Sequence, residues 1–355
     1  SHLSDVGLVM PIFYDNELVA FSANKAHWTE VGGKEPGSMA TDSTDIFQEG
    51  LQFPCVKLYD GGVLNEPLVE IIKANVRFPD LSLGDMWAQV AALKTGERRF
   101  HELCEKYGKE IVVSSIENLL DYGEQLTKKA LKELPKGTFE TVDYIDDDGI
   151  EDGPFKVQVK ITITDDEFIC DFRGSHPQVT GPINSSYTGL VSAVRTIFLA
   201  LTNPSQDIND GAFRPLKILT DETSIFNAER PAPVSMYWES MLFGCDMIWK
   251  ALAPLVPDRL TAGHHLSVCT VVVSGAHPDT GEPFLIVEPS VGGWGGADGR
   301  DGDTGQFCIL DGETYNIPVE ICETRYGVMV DEYSMRTDGK GVGQFRGGSG
   351  IIRSY

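Results

Sequence analysis

The stretch "SHLSDVGLVMPIFYDNELVAFSANKAHWTEVGG", residues 1–33, decides how the chain begins to fold. Residues 6–13, "VGLVMPIF", are almost wholly apolar and read as a buried strand. Residues 18–24, "LVAFSAN", read as a second strand, and Asp15-Asn16 between them are turn formers. An antiparallel hairpin with its tip there brings residues 2–5 beside residues 26–29. His2, Asp5 and His27 then meet at its open end, just before the Gly32-Gly33 break.

Two histidines and a carboxylate are a donor set for Zn²⁺, Mn²⁺ or Fe²⁺, and an open coordination position would make such a site catalytic. Glu30, three residues past His27, has three roles open to it: a further ligand, an acceptor behind an imidazole N–H, or a general base. Spacing alone leaves a plainer reading beside this one, in which ordinary polar residues close a hairpin.

Working outward, 355 residues suffice for two domains or one large one. The net charge of −24 disfavours nucleic acid and anionic membrane as partners, and no apolar run is long enough for a transmembrane helix. Cys55, Cys104, Cys170, Cys245, Cys269, Cys308 and Cys322 are scattered, with no C-x-x-C pair. That argues against a disulfide framework or a thiolate zinc site and for a reducing, cytoplasmic setting.

Residues 32–62 read as an ordered loop rich in Gly, Ser, Thr and Asp. Three helices follow: "LNEPLVEIIKANVR", then "GDMWAQVAALKTGERRFHELCEKYG" with Asp85 as cap and Gly108 as stop, then "KEIVVSSIENLLDYGEQLTKKALKEL". "DYIDDDGIEDG" reads as a loop, and "FKVQVKITITDDEFICDF" alternates as paired strands do. "SSYTGLVSAVRTIFLALT" and "MYWESMLFGCDMIWKALAPL" read as helices, and "VCTVVVSGA" and "PFLIVEP" as a strand pair. The glycine-rich "SVGGWGGADGRDGDTG" precedes a last set of short strands from "QFCIL" to "GIIRSY". The order predicts an α+β fold in three regions: 1–62 with the hairpin and loop, 63–137 helical, and 138–355 mixed.

The motifs "HLSDVGLVMPIF", "AHWTEVGG", "EGLQFPCVKLY", "GDMWAQVAALKTGERR", "DFRGSHPQVTGPINSS", "NDGAFRPLKI", "GGWGGADGRDG" and "NIPVEICETRYGVMVDEYSMRTDGKGVGQFRGGSG" resemble, in order and over essentially the whole chain, the hydantoinase B/oxoprolinase family. That family includes B subunits of N-methylhydantoinases, the corresponding half of 5-oxoprolinases, and subunits of acetone and acetophenone carboxylases. Its members are longer, so the resemblance implies a chain truncated at both ends. It also implies that His2, Asp5 and His27 bind a divalent metal, Zn or Mn foremost, with a further aspartate from an upstream segment outside this chain. Trp28 and Glu30 depart from the H-H-x-D pattern of hydantoinase-type members, and an aromatic beside the metal is reminiscent of the carboxylase branch.

The function so implied is that of a metal-dependent B-type subunit in a hetero-oligomer that opens a hydantoin- or lactam-like ring. ATP binds the partner A subunit and no cofactor-binding residue is expected here. His27 and Glu30 are the catalytic candidates, and Trp28, Trp294 and His264 the substrate contacts. The alternatives are an ATP-dependent ketone carboxylase and a non-catalytic scaffold. The glycine-rich loop lacks the lysine of a phosphate loop and reads as a sharply turning segment in which Trp294 covers substrate. Of His264 and His265, adjacent in the chain, at most one would face a common site. His176 reads as a turn residue, Asp171–Arg173 as a buried ion pair, and Asn184 and Arg214 as positioning residues. Cys245 and Cys269 read as inert thiols, and Arg325 as an anion contact at an interface.

Overall fold

The computed structural model describes residues 2–202, 208–311 and 314–355. The hairpin forms as read: β1 (Asp5–Tyr14) pairs antiparallel with β2 (Glu17–His27), and Asp5 stands opposite His27. Asp15 and Asn16 both take positive φ, the backbone that matches a two-residue turn to the twist of its strands. β1 is not wholly buried, however. Val6 and Ile12 are inside, whereas Val9 and Phe13 are 66% and 52% exposed. The hairpin has a helix on one face only, so alternate residues of an apolar run face solvent.

Residues 32–62 hold two short 3₁₀ turns and little else up to β3 (Tyr59–Asp60), which pairs with β4 (Val63–Leu64). The loop is nonetheless pinned. Buried Glu49 accepts from the Ser43 hydroxyl and from the Val234 and Ser235 amides, tying it to the middle of the chain. Gly33 shows why the Gly-Gly break is needed: at φ 91° a Cβ there would stand 2.7 Å from the Glu49 carbonyl carbon.

Helices α1 (Glu66–Asn75), α2 (Pro79–Tyr107) and α3 (Lys109–Leu131) follow. α2 starts earlier than the sequence suggests because Pro79, with its fixed φ, opens it. Asp85 is therefore inside the helix, not at its cap, and accepts from the Thr29 amide. Val6, Trp28 and Val31 pack with Val69, Ile72, Val76, Leu83 and Met86 in one core shared by the hairpin, α1 and α2. Gln89 of α2 locks them together. Its amide donates to the Val6 carbonyl and to Asn24 Oδ1, its Oε1 accepts from Trp28 Nε1, and its carbonyl accepts from Asn24 Nδ2.

The second core is built on a four-stranded sheet ordered β5 (Gly137–Asp147), β6 (Asp152–Ile163), β7 (Phe168–Asp171), β8 (Leu216–Leu219). β5 takes up the first five residues of the acidic stretch expected to be a loop; Asp146 and Asp147 are exposed, and Asp143, on the less exposed face with Phe139 and Ile145, pairs with Lys250. The β7–β8 pair is parallel, and α4 (Tyr187–Thr202) lies in the connection between them. Phe155, Val157, Val159, Ile161 and Ile163 of β6 pack with α4 and α5 (Trp238–Leu252). Each such side chain contributes about 1.5–3 kcal/mol by leaving water.

Beyond α5, β9 (Val271–Ala276) and β10 (Pro283–Glu288) form the expected hairpin, and β11 (Gly292–Gly293) pairs with β12 (Thr304–Gln306) across the glycine-rich loop. α6 (Val319–Tyr326) precedes the pair β13 (Glu332–Met335) and β14 (Ile351–Ser354). "QFCIL" is strand only at Gln306, because Phe307 and Cys308 turn inward to the second core. No helix among the described residues is long and apolar enough to cross a membrane.

Gln89→Ala leaves the Trp28 indole N–H and the Val6 carbonyl unpaired in a buried place. It is expected to destabilise the N-terminal body by about 2–4 kcal/mol. Urea unfolding followed by Trp28 fluorescence, with the other tryptophans replaced by Phe, checks this.

Candidate active site

The Asp5↔His27 pairing puts the open end of the hairpin against the start of α5. The rings of His2 and His27 lie 4.8 Å apart, and His2 also meets Tyr237 at 5.2 Å and the edge of Trp238 at 5.3 Å. His2 Nε2 is 4.0 Å from Asp5 Oδ2, and Lys25 Nζ is 3.4 Å from the same oxygen. His2, Asp5 and His27 are thus brought together as the sequence indicates.

Burial pushes the His2 imidazole down to about 3, with His27 adding to the shift and Asp5 opposing it. Burial likewise lowers His27, against the pull of Asp5, Asp85 and Asp311. Both rings are therefore neutral at pH 7. Burial opposes ionisation of Asp5, but His2, Lys25 and His27 more than offset it and hold the carboxyl below its usual range. Burial raises the Tyr237 phenol, and the Asp5 charge and hydrogen bond add to the effect, so it keeps its proton and faces Asp5 as a donor.

His2 Nδ1 and Asp5 Oδ2 are buried without a hydrogen-bond partner. Neutral imidazoles, an ionised carboxylate and two unsatisfied buried atoms fit a divalent cation in kind. Among the described residues, no three His, Cys, Asp or Glu groups stand close enough to hold one as they are.

His27 opens onto a cleft of about 680 Å³. Its walls come from the end of β2, the start of α2, β10 and α6, with Phe78, Leu81, Phe284, Leu285 and Val287 as apolar lining. His27 is solvent-accessible through this cleft, whereas His2 behind it is only 5% exposed.

Glu30 and Trp28 do not take the expected places. Glu30 is fully buried, its Oε1 paired with Arg77 Nη1 at 2.7 Å and its carbonyl held by Ser82. Trp28, just past the end of β2, has its amide on the Ser4 carbonyl and its ring in the N-terminal core at 1% exposure, with its indole N–H on Gln89. Both are structural here. His264 and Trp294 gather elsewhere, around Trp249 of α5, with ring centroids 5.0 Å and 5.8 Å from it. Trp249 lies eleven residues past Trp238 on one helix, about 16 Å along its axis. His264 Nδ1 donates to the His265 carbonyl, and its Nε2 faces Asp246 at 3.6 Å.

Of the remaining candidates, Asp171–Arg173 is a surface pair rather than a buried one. Arg214 pairs with Asp121 and Glu124 on α3, Asn184 braces Val179, Gly181 and Pro233, and His176 sits in a turn against Phe155. Cys245 is a core thiol whose ionisation burial suppresses, and Cys269 is exposed. Sequence reasoning missed Tyr237, Asp85 and Asp311, all close enough to influence the pair at the hairpin end. Asp311, which accepts from the Cys308 thiol at 3.1 Å, has no local signature to give it away.

The chain matches the family described as hydantoinase B/oxoprolinase over residues 1–355. It is 37% identical over 370 residues to the B subunit of a putative D-/L-hydantoinase from a Pseudomonas strain, covering 99% of this chain and 61% of that protein. The beta subunit of caprolactamase from Pseudomonas jessenii is 31% identical over 356 residues, with 99% and 61% covered. The crystal structure of the ATP-dependent caprolactamase from that organism superposes with a TM-score of 0.90 at 28% identity, over 99% of this chain and 61% of the other. A nucleotide-free acetone carboxylase superposes at 0.91 with 20% identity over 99% and 49%, a likeness of fold. The chain spans about three fifths of the length of these curated relatives.

Glu30→Gln is expected to lower stability by about 1–3 kcal/mol, because the Arg77 charge loses its partner while keeping some solvent. It should leave the His27 imidazole NMR resonances in place; a large shift in them would return Glu30 to the site.

Proposed function

The chain belongs to the hydantoinase B/oxoprolinase family, and we propose from that premise that it is the metal-dependent B-type subunit of an ATP-dependent cyclic-amide hydrolase. The observation that carries the reading is the meeting of His2, Asp5 and His27 where His27 opens onto a cleft. In this proposal those three residues hold a divalent ion, whose chemistry is that of a Lewis acid toward a carbonyl oxygen and toward water.

The chain's own residues do the rest. His2, behind His27, is fixed by packing against Tyr237 and Trp238, and Asp5 lies between His2 and Lys25. The Tyr237 hydroxyl keeps its proton on Oη and directs it at Asp5, which orients the carboxylate. His27, open to the cleft, is the member of the set that meets the substrate. Phe78, Leu81, Phe284 and Leu285 cover the faces of a small ring and keep bulk water from it.

An amide carbonyl is a poor electrophile. Phosphorylating its oxygen, the role we give to an A-type partner that binds ATP, creates a good leaving group before the ring reaches this cleft. Relatives more than 30% identical include a hydantoinase subunit and a caprolactamase subunit, both cyclic-amide enzymes by name, which favours hydrolysis over carboxylation.

Elemental analysis of the purified protein should find about one Zn or Mn per chain, lost in His27→Ala. In the assembled enzyme with its ATP-binding subunit, His27→Ala should slow ring opening of a hydantoin or lactam by about 100-fold or more while assembly persists. Full metal content and turnover in the variant would leave a scaffold in place of an enzyme. ATP turnover driven by a ketone with bicarbonate, and by no cyclic amide, would replace hydrolysis with carboxylation.

A further inference from the structure

Every arginine among the described residues except Arg230 and Arg325 is ion-paired with a carboxylate. In a chain with net charge −24, an unpaired guanidinium has many carboxylates to choose from, so where it stands is informative. Arg230 lies over the Phe47 ring. Arg325 lies on the last turn of α6, in the wall of the cleft that His27 enters; its guanidinium lies 5.5 Å from the Tyr326 ring, and among the described residues it has no carboxylate partner.

The other cation of that cleft is fully engaged. Arg77 gives Nη1 to Glu30 and Nη2 to the Gly33 carbonyl, with weaker bonds to Lys34 and Glu35. Its charge is cancelled by the buried carboxylate. The two acidic lining residues are Asp80, which complements the N-terminus of α2, and Glu282, at the turn before β10. Neither pairs with Arg325. The cleft therefore presents one neutral imidazole, an apolar wall and one uncommitted guanidinium whose planar fork suits two oxygens of an oxyanion.

We infer that Arg325 is the residue that grips the phosphoryl group of the activated substrate and so sets the ring's orientation relative to His27. This rests on the function proposed above for the phosphorylated species, but the oxyanion site itself does not. A guanidinium at the cleft wall also counters the repulsion that the acidic chain exerts on a phosphorylated ligand. Arg325 is a positioning residue: it holds the phosphoryl oxygens while water adds to the carbon that bears the phosphoryl group, the ring C–N bond breaks with the nitrogen leaving as the amine, and a second water releases phosphate from the resulting acyl phosphate.

The test uses the full-length protein and inorganic phosphate as probe. Modification of arginines by phenylglyoxal, mapped by mass spectrometry, should slow about tenfold at Arg325 when phosphate saturates, with Arg230 unaffected. Acetate at equal concentration should protect less. In the assembled enzyme Arg325→Ala should weaken phosphate inhibition about tenfold or more, with Arg325→Lys recovering part of it. Equal phosphate protection at both arginines, or none at Arg325, overturns the site. Better protection by acetate overturns the phosphoryl assignment in favour of a substrate carboxylate. Protection at Arg325 needs no turnover, so an inactive cyclic-amide assay alongside normal protection would defeat the proposed reaction and leave this site standing.

Discussion

The hydrogen bonds of Gln89 are the constraint on which the site depends. One buried carboxamide binds the first strand at Val6, the second at Asn24, and the chain beyond it at Trp28. A two-stranded hairpin with one solvated face has little of its own to resist slipping by a residue. A slip of one would turn His27 away from Asp5 and bury the wrong alternation. Fixing three points of the hairpin to α2 removes that freedom.

The second core supplies the other half of the site. Tyr237 and Trp238 stand at the start of α5, and the Glu49 carboxylate binds the amides of Val234 and Ser235 just before them. That carboxylate lies in the loop that follows the hairpin. The same buried group thus ties the N-terminal body to the helix that walls His2. Burial raises the Glu49 carboxyl, and its bonds to Ser43, Ser235 and Val234 work against that rise. All of these donors are neutral, and they make the carboxylate a strap rather than an acid–base group.

How much of this was legible follows from what each segment's neighbours had to say. The turn at Asp15-Asn16 needs only local chemistry, and counting back from it places Asp5 within one residue of His27; the bulge between Ile12 and Phe13 sets the final register, and nothing local announces it. Trp28 and Glu30 escape a local reading because nothing near them says that Gln89 and Arg77, dozens of residues away, will claim them. β5 was hidden because an edge strand with a solvated acidic end has the composition of a loop. Trp294 and His264 carry aromatic and imidazole chemistry, but the length of α5 carries them away from the cleft. Tyr237 and Asp311 approach His27 only through tertiary folding, and a single sequence holds no trace of that.

The cost of unsatisfied polar atoms locates the site independently of any motif. A buried donor or acceptor left without a partner costs about 1–3 kcal/mol, a large share of a domain's net stability. In the second core's sheet and helices such atoms are scarce, and Cys245 and Trp249 both find carbonyls. At the hairpin end His2 Nδ1, Ser4 Oγ and Asp5 Oδ2 are all left without one, within four consecutive residues. Packing could have removed this cost with apolar side chains, as it did at Val6 and Ile12 of β1, and the ion pair of Asp5 with Lys25 relieves it only in part. That cost falls beside His27 and the cleft it enters, and it is the physical ground on which the proposed binding role of these residues rests.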